Sequence, residues 1–364
     1  MKILCVCGAR PNFMKIAPIV DAFSKAGIDR AIVHTGQHYS PEMSRNFFDQ
    51  LEIPKPDVNL EAGPGSHAFQ TAEIIRRFEP VVIDQKPDAV LVVGDVNSTI
   101  ACGLTAVKLG IKLIHVEAGL RSFDKAMPEE INRILTDSIS DMLFVSEPSG
   151  IENLRREGRP EEAVFLAGNV MIDTLFKRLS KAGNSDILKR LGLKEKEFLT
   201  LTLHRPENVD SRESLLKAAE LIERASEQLK IVLPLHPRTK RAFKQAGLEE
   251  RITGIENLVI CPPLNYIDFL RLLSTNACAL TDSGGVQEET TALGIPCITL
   301  RKNTERPITI TEGTNTLTGL NPEKAASQIK KLSENNFKAE GRCPKLWDGK
   351  AAERIAAEVI KTLA

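Results

Sequence analysis

The chain lacks any excess of charge of one sign. Its 364 residues include 48 Lys and Arg against 48 Asp and Glu, so the formal net charge at pH 7 is zero. No run of five or more basic residues occurs, and nothing favours nucleic acid as a partner. No apolar run approaches the length of a membrane span, and the strand-like start Met1–Cys7 is too short for a signal-peptide core. We therefore expect a cytoplasmic protein that binds neither nucleic acid nor membrane.

Cysteine is present but has no arrangement that indicates a metal or a disulfide framework. There are seven cysteines, an odd number, and several lie inside apolar strand patterns, where cysteine behaves as a small hydrophobe. Cys5 and Cys7 are two residues apart, but no second pair has the spacing of a zinc site. We expect reduced thiols and no bound metal.

The usual phosphate-binding fingerprints are missing as well. The turn after the first predicted strand reads Gly8-Ala9-Arg10-Pro11-Asn12, which contains neither Gly-x-Gly-x-x-Gly nor a Walker pattern. The sequence therefore supports neither a nicotinamide cofactor nor an NTPase function, and we expect no cofactor.

Apolar, strand-like runs alternate with helical patterns along the whole chain. Continuous apolar strands between helices are typical of a parallel sheet buried on both faces. Two such series predict an α/β protein with two Rossmann-like, doubly wound domains, residues 1–168 and 169–346, and a last helix in 347–364 that packs back on the first domain. The predicted strands are Ile3–Cys7, Ala31–Thr35, Ala89–Val93, Lys112–Val116, Leu143–Val145, Ala163–Leu166, Phe198–Leu203, Lys230–Pro234, Leu258–Cys261, Cys278–Leu280 and Cys297–Leu300.

The stretch Leu280–Glu289 has the form of a ligand-binding turn. A strand runs into Asp282-Ser283-Gly284-Gly285, and a helical pattern follows. Glycines let a ligand approach the backbone, and the free N–H groups and dipole at a helix start favour an anion. Glu289, about one turn into the helix, would repel phosphate but suits the hydroxyls of a ribose. The pattern predicts a nucleotide site; the alternative is a strand–helix turn whose glycines serve packing.

Charged residues follow other predicted strands. Arg10 and Lys15 flank the first strand–helix turn, where they could hold a phosphate, unless they are ordinary surface cations. Asp95 and Glu117 end two neighbouring strands, and such carboxylate pairs can act as acid and base. The alternative for Asp95 is helix capping, and for Glu117 a structural role.

Two further candidates are ambiguous on spacing alone. Glu129 opens a helix with Arg133 four residues later, so an ordinary i,i+4 ion pair is the simpler interpretation. His204 ends a strand and precedes Arg205; it could reach an anion or be structural. His236 has a weaker version of the same context. The remaining histidines, His34, His38, His67 and His115, are interpreted as structural.

Taken together, these motifs resemble the non-hydrolysing UDP-N-acetylglucosamine 2-epimerases. The resemblance runs nearly end to end, and the order and spacing of its pieces make it specific. The matching segments are Gly8-x-Arg10-Pro11 with Lys15, Gly36-Gln37-His38, Gly94-Asp95, His115-Val-Glu117-Ala-Gly-Leu-Arg121, Pro128-Glu129-Glu130 with Asn132-Arg133, Gly168-Asn169 with Asp173, His204-Arg205 with Glu207-Asn208, Thr281–Glu289, and Glu305-Arg306-Pro307.

The resemblance implies a glycosyltransferase-B fold with the active site in the interdomain cleft, and a homodimer. It implies reversible inversion at C2 of UDP-GlcNAc to give UDP-ManNAc, through elimination of UDP to a 2-acetamidoglucal and re-addition, for glycan or polysaccharide synthesis. The implied catalytic residues are Asp95, Glu117, Glu129 and His204. The implied substrate-binding residues are Arg10, Lys15, Asp95, Glu117, Arg133, His204, Phe269, Ser283, Gly284, Gly285, Glu289 and Arg306, and a possible regulatory second site comprises Arg205, Glu207 and His236.

Three alternatives stay open at this point. A hydrolysing 2-epimerase would release ManNAc and UDP, a glycosyltransferase of the same fold would move the sugar to an acceptor, and a silent sensor would bind UDP without turnover. The His115–Arg121 motif looks like the non-hydrolysing branch, and the two carboxylates Asp95 and Glu117 are surplus for a glycosyltransferase.

Overall fold

The computed structural model describes residues 1–37 and 52–363, apart from the side chains of Arg10 and Pro11. The chain divides into two compact units, Met1–Lys177 together with Lys345–Ala364, and Arg178–Pro344. The sequence-based boundaries at 168/169 and 346/347 stay predictions. The first division by contacts falls later, inside a helix that begins at Val170, and the second falls slightly earlier than predicted.

The first unit is built on a seven-stranded sheet in which all strands are parallel. Its strands β1–β7 are Lys2–Cys7, Asp29–His34, Val58–Asn59, Ala89–Val93, Lys112–Ala118, Met142–Val145 and Val164–Leu166. Its helices α1–α6 are Arg10–Lys25, His67–Gln85, Asn97–Lys108, Pro128–Ile139, Pro148–Arg156 and Val170–Gly183, and a short 3-10 turn covers Glu161–Ala163.

The second unit has a six-stranded sheet, again entirely parallel. Its strands β8–β13 are Phe198–Thr202, Lys230–Pro234, Leu258–Cys261, Cys278–Thr281, Cys297–Thr299 and Asn315–Leu317. Helices α7–α15 are Ile187–Arg190, Pro206–Val209, Arg212–Ser226, Pro237–Gln245, Glu249–Thr253, Tyr266–Thr275, Gly284–Leu293, Ile308–Thr311 and Pro322–Glu334.

The last helix, α16 (Ala351–Leu363), belongs to the first unit and contacts α1. Asp173 accepts hydrogen bonds from the first two N–H groups of α16, Ala351 at 3.1 Å and Ala352 at 2.7 Å, and so caps that helix. The indole of Trp347 is fully buried and donates to the main-chain oxygen of Ser146 at 3.0 Å. These bonds hold the C-terminal segment on the first unit.

Strand β4 shows why a continuous apolar run becomes a central parallel strand. Its sequence is Ala-Val-Leu-Val-Val, and every residue is buried. Val90 and Val92 on one face join a core cluster with Phe78 of α2 and Ala101 of α3. Both faces of the sheet need helices, so alternation of strand and helix follows directly from the composition.

The strands predicted from the sequence are confirmed, and two further strands were not predicted. All eleven predicted strands are present within one or two residues of their expected ends. The omitted strands are β3 (Val58–Asn59) and β13 (Asn315–Leu317), short strands at an edge of each sheet. None of the helices in the described residues is long and apolar enough to cross a membrane.

Strand order places one crevice in each sheet. The orders are β3-β2-β1-β4-β5-β6-β7 and β10-β9-β8-β11-β12-β13. The direction of winding reverses between β1 and β4 in the first sheet, and between β8 and β11 in the second. In open parallel sheets, ligands bind beyond the carboxyl ends of the strands at such a reversal.

Candidate active site

The reversal points coincide with the candidate residues. In the first unit, β1 leads to the turn before α1, and β4 leads to Gly94-Asp95. In the second unit, β8 leads to His204, and β11 leads to Asp282-Ser283. Each sheet therefore presents candidate residues at the edge where its topology favours a ligand.

Asp95 is held by helix α4. The guanidinium of Arg133 donates to the Asp95 carboxylate at 2.6 Å, and Asn132 donates to the Asp95 main-chain oxygen at 2.9 Å. Arg133 also binds Glu130 at 2.8 Å. The expected i,i+4 pair of Arg133 with Glu129 does not form, because the buried face of α4 presents Glu130 to the arginine instead.

Helix α4 is turned opposite to the usual amphipathic arrangement. Its buried side chains are Glu130, Arg133, Thr136 and Asp137, all polar. Two of its apolar residues, Ile131 and Leu135, are 46% and 47% exposed. Glu129 is only partly exposed, and it makes no hydrogen bond or ion pair with any residue that the structure describes. A buried polar face points to function, because apolar residues would stabilise the helix at lower desolvation cost.

Glu117 has a strained backbone. Its φ is 73°, in the left-handed region, at a point where the register between β5 and β6 shifts. A non-glycine residue in this region costs on the order of 1 kcal/mol and marks candidate functional positions. The Glu117 carboxylate forms an ion pair with the ammonium of Lys15, and both side chains are buried. Lys15, expected to hold a phosphate, thus lies against a catalytic candidate.

The turn after β4 leaves no room for a side chain. Gly94 has a φ of 68°, and a Cβ there would lie 2.9 Å from the Lys15 ammonium. Asn12 of α1 donates to the main-chain oxygen of Val93 at 2.9 Å, which ties the start of α1 to the end of β4. The glycine therefore lets Lys15 pass beneath the turn and reach Glu117.

A buried ionic cluster lies behind these turns. His115 of β5 is fully buried; its Nδ1 is 2.7 Å from a carboxylate oxygen of Asp137, and its Nε2 is 2.9 Å from the Gly94 main-chain oxygen. Arg121 pairs with Asp137 at 2.7 Å and with Glu157 at 2.5 Å. Burial opposes ionisation of Asp137, but His115 and Arg121 outweigh it and hold the pKa of Asp137 below its usual range.

In the second unit, the N-terminus of α13 is open to a ligand. Ser283 is the N-cap residue, and its side chain makes no capping hydrogen bond. A Cβ added at Gly284 would meet no atom within 4 Å, so packing does not require glycine there. Ser283, Gly284 and Gly285 are all partly exposed. The arrangement fits an anion that approaches the first amides of the helix closely.

His204 is oriented by Asp282. The ring Nδ1 lies 3.0 Å from one oxygen of the fully buried Asp282, while the other oxygen accepts the main-chain N–H groups of His204 and Arg205, both at 2.9 Å. Burial opposes ionisation, but His204 and these N–H groups hold the pKa of Asp282 below its usual range. Asp282 therefore orients the histidine rather than binding the ligand itself.

Glu289 is buried and pairs with Tyr266. The tyrosine hydroxyl donates to the Glu289 carboxylate at 2.9 Å. Burial, reinforced by the negative charge of Glu289, raises the pKa of Tyr266 well above its usual range, so the hydroxyl remains a donor. Phe269, on the same helix α12, is partly buried and packs beside Val286 of α13. Phe269, which the resemblance places among the substrate-binding residues, thus lies on the helix whose first residue, Tyr266, orients Glu289.

The loop after β12 is held to α13 by charged and polar contacts. Arg306 donates to Glu288 at 2.5 Å, and both side chains are buried. Arg301 binds Glu305 at 2.7 Å, also buried. Burial opposes ionisation of Glu305, but Arg301 overcomes it and lowers the pKa of Glu305 to about 2. Arg306, expected to support the nucleotide site, is thereby fixed beside the helix that carries Glu289.

The three residues of the expected second site lie in the same region of the second unit. The His236 ring stacks obliquely on His204, with ring centroids 5.8 Å apart. His236 also accepts the Arg238 N–H at 3.2 Å and caps α10. Glu207 is exposed and lies 3.4 Å from the Arg301 guanidinium. The main chain of Arg205 is bound by Asp282, as described above.

One expected ligand, the Arg10 side chain, falls outside the described part of the molecule, and so does His38, which was interpreted as structural. Within residues 1–37 and 52–363, no group of three His, Cys, Asp or Glu side chains could hold a metal ion.

Several contributors were missed in the sequence. Glu130, Tyr266 and Asp282 each fix a candidate residue, Asp137 holds the buried His115, and none of the four was assigned such a role. A signal existed for two of them: Glu130 and Asp137 lie on the same face of a helix as Arg133, with spacings of three and four residues. For Tyr266, no local sequence pattern distinguishes a tyrosine whose hydroxyl donates to a buried acid from an ordinary aromatic residue of the core.

Two all-parallel, doubly wound sheets, each with candidate residues at its reversal point, define a protein of the glycosyltransferase-B class. A family model described as UDP-N-acetylglucosamine 2-epimerase matches residues 21–360. A UDP-N-acetylglucosamine 2-epimerase homolog of Methanococcus maripaludis is 43% identical over 365 residues and covers all of both chains. The chain therefore belongs to the UDP-N-acetylglucosamine 2-epimerase family, which is a family of isomerases.

Two further comparisons bear on ligand and substrate. The crystal structure of a Methanocaldococcus jannaschii UDP-GlcNAc 2-epimerase in complex with UDP-GlcNAc and UDP matches with a TM-score of 0.89 and 40% identity, covering 99% of this chain and 100% of its own. A UDP-2,3-diacetamido-2,3-dideoxy-D-glucuronate 2-epimerase of Pseudomonas aeruginosa is 38% identical over 99% of this chain and 100% of its own.

Proposed function

We propose that the chain is a non-hydrolysing 2-epimerase that interconverts UDP-GlcNAc and UDP-ManNAc. The C2 proton of the sugar is not beside a carbonyl, so simple deprotonation is implausible. A carboxylate instead removes the C2 proton while the C1–O bond to UDP breaks, which leaves a 2-acetamidoglucal and UDP. UDP then adds back at C1 while a proton returns to C2 from the opposite face.

The observation that carries the proposal is the pair of carboxylates at the ends of β4 and β5. Asp95 is fixed by Arg133, and Glu117 is fixed by Lys15 in a strained backbone conformation. Glu129 has no partner among the residues described and is the third acid of the set. Two-sided proton transfer at C2 requires at least two such groups, whereas transfer of the intact sugar to an acceptor does not.

The second unit offers the groups that a departing UDP requires. We assign the diphosphate to the open amides at Ser283, Gly284 and Gly285 and to His204, and the ribose to Glu289. Phe269 is assigned to the base side of this nucleotide site, and Arg306 supports it through Glu288. Arg10 and Lys15 of the first unit complete the expected cationic set around the phosphates.

The Pseudomonas aeruginosa relative favours a second candidate substrate. Its name assigns 2-epimerisation of a UDP-diacetamido-uronate, and the two chains align over nearly their whole lengths. The carboxylates and the UDP groups proposed above would serve both substrates equally, because the sugars share the acetamido group at C2. They differ at C3 and C6, for which no residue is assigned.

The deciding experiment is proton NMR of the purified protein with each nucleotide sugar in deuterium oxide, without added cofactor. Inversion of UDP-GlcNAc with deuterium at C2 would establish non-hydrolysing epimerisation. Release of free ManNAc and UDP would identify a hydrolysing enzyme. Inversion of only the diacetamido-uronate would reassign the substrate, and two unchanged spectra would favour a glycosyltransferase or a sensor.

Removing single carboxylates tests the assigned roles. We expect Asp95→Asn, Glu117→Gln and Glu129→Gln to retain UDP binding and to lose turnover by roughly a hundred- to ten-thousand-fold, the usual contribution of a positioned acid or base. Single-turnover rates and UDP titration calorimetry measure the two quantities. Wild-type rates in all three variants would overturn the assignment.

We also propose that the protein is a homodimer in the cytoplasm and supplies a ManNAc-type sugar for glycan or polysaccharide synthesis. Support for the dimer comes from exposed apolar residues on α2 and α4, Phe69, Ile131 and Leu135. Ile131 also lines a mainly apolar groove of about 380 Å³ between these helices. Exposed apolar residues beside an apolar groove are typical of contacts between subunits.

A further inference from the structure

His115 and Asp137 take no part in the reaction as proposed, yet they join the two turns that carry its carboxylates. The His115 ring contacts the Gly94 main-chain oxygen, which belongs to the residue directly before Asp95. The Asp137 carboxylate accepts the Gly119 N–H at 3.0 Å, two residues after Glu117. The direct His115–Asp137 contact of 2.7 Å closes the connection.

The hydrogen-bond partners determine where the protons lie. A main-chain oxygen can only accept, and the Asp137 carboxylate already accepts from Gly119 and Arg121. The Nε2 of His115 therefore donates its proton to the Gly94 oxygen, and the Nδ1–Asp137 contact is a second hydrogen bond. Arg121 pairs with both Asp137 and Glu157. These contacts give every buried or half-buried member of the cluster a partner.

We propose that His115 and Asp137 are positioning residues that fix the relative placement of Asp95 and Glu117; this rests on the proposed function of those carboxylates. Asp137 lies on α4, the helix whose Arg133 binds Asp95, so the same cluster also sets that helix against both turns. Misplacement of reacting groups by about 1 Å costs about a hundredfold in rate. A network that fixes main-chain atoms on both sides of the site has this scale of effect without touching the substrate.

The test compares His115→Gln and Asp137→Asn with wild type in steady-state kinetics and UDP titration. Each variant keeps a similar volume and removes one donor or one charge. We expect kcat to fall about a hundredfold while KM and the Kd for UDP change less than about threefold, because neither His115 nor Asp137 is among the groups assigned to UDP. The matched control is Val82→Ala, which weakens the core of the first unit on α2 without contacting either turn. It should lower the Tm but keep kcat within about twofold.

A second readout does not depend on activity. Long-range ¹⁵N–¹H NMR of the histidine rings, with His115→Gln for assignment, should give the Nε2 of His115 the shift of a protonated nitrogen, because it donates to the Gly94 oxygen. In Asp137→Asn, the shift of Nδ1 should change because its partner changes. A wild-type spectrum with an unprotonated Nε2 would overturn the proposal. So would variants whose kcat falls no further than that of Val82→Ala at equal loss of Tm. Failure of the proposed function is separate, because wild type would then leave both nucleotide sugars unchanged.

Discussion

Glu117 brings two destabilising features together in a single residue. Its backbone is in the left-handed region, and its carboxylate is buried against Lys15. Neither feature helps folding, because glycine would fit the φ of 73° without strain and apolar residues would fit the interior without desolvation. We infer that the residue is retained for its chemistry.

The buried pair makes a prediction about stability. Lys15→Met or Glu117→Gln alone leaves one charge buried without its partner, so we expect each to destabilise the protein by about 3 kcal/mol. The double variant should lose less than the sum of the two, because no unpaired charge remains. Urea unfolding of the four proteins of this cycle measures the coupling. Strict additivity would show that the pair is not energetically coupled.

Gly284 makes a prediction about binding. Its backbone is not in the left-handed region and a Cβ there meets nothing, so Gly284→Ala should keep or slightly raise the Tm. If the amides at this turn receive the diphosphate, the added methyl blocks close approach and should weaken UDP binding at least tenfold. Calorimetric titration measures the effect. The matched control is Gly183→Ala, another helical glycine with open space at its Cβ, which should leave UDP affinity unchanged.

At the scale of secondary-structure elements, the sheets were predictable and the buried polar helix was not. Eleven strands followed from apolar runs of three to six residues, because burial on both faces imposes that pattern. Strands β3 and β13 were missed because two or three edge residues carry too little pattern. In α4, spacing suggested an i,i+4 pair of Glu129 and Arg133. In the structure the polar face of α4 is buried, and Arg133 pairs with Asp95 instead.

The candidate site divides in the same way. Residues directly after strands, such as Asp95 and His204, could be found from sequence because parallel strands deliver their carboxyl ends to one edge. Residues that hold other side chains in place, such as Asp137 with His115 and Tyr266 with Glu289, lie inside helices and act across long separations in the chain. No local pattern records such a contact.

The loop after β12 makes a prediction about acid stability. Glu305 has a pKa of about 2 in the folded protein against an ordinary 4.5. Its contribution to the free energy of unfolding is therefore fully present above pH 4.5 and is lost as the pH falls towards 2. At about 1.4 kcal/mol per pKa unit, the full loss is about 3 kcal/mol. Urea unfolding at several pH values should show this loss of unfolding free energy in wild type, and Glu305→Gln should lack it. The control Glu250→Gln, at an exposed position, should lose stability with falling pH as wild type does.

At the scale of the whole molecule, the chain is two units with separate cores. The first has its apolar cluster between the seven-stranded sheet and helices α2 and α3, and the second has its own between its sheet and helix α9. Phe69, Ile131 and Leu135 remain exposed on the first unit, outside both cores. An assembly of two copies is the function we assign to them.

This assignment predicts the effect of a surface charge. Leu135→Glu adds a carboxylate to the exposed face of α4 and should convert a dimer to a monomer, because an unpaired charge at an apolar interface is costly to desolvate. Light scattering after size-exclusion chromatography gives the mass. Leu166→Glu, at another exposed apolar position of the same unit, is the control and should leave the mass unchanged. A wild-type protein that already runs as a monomer would contradict the assignment.

The left-handed backbone at position 117 also suggests how to make a variant that binds nucleotide sugars without turnover. Glu117→Gly relieves the backbone strain, and Lys15→Met in the same chain removes the charge that would otherwise remain buried alone. The resulting protein lacks one catalytic carboxylate, but it keeps the groups assigned to UDP in the second unit, which should hold a nucleotide sugar without converting it. Labelled with a fluorophore near α13, such a chain would report nucleotide-sugar concentrations in cell extracts, where the active enzyme would consume what it was meant to measure.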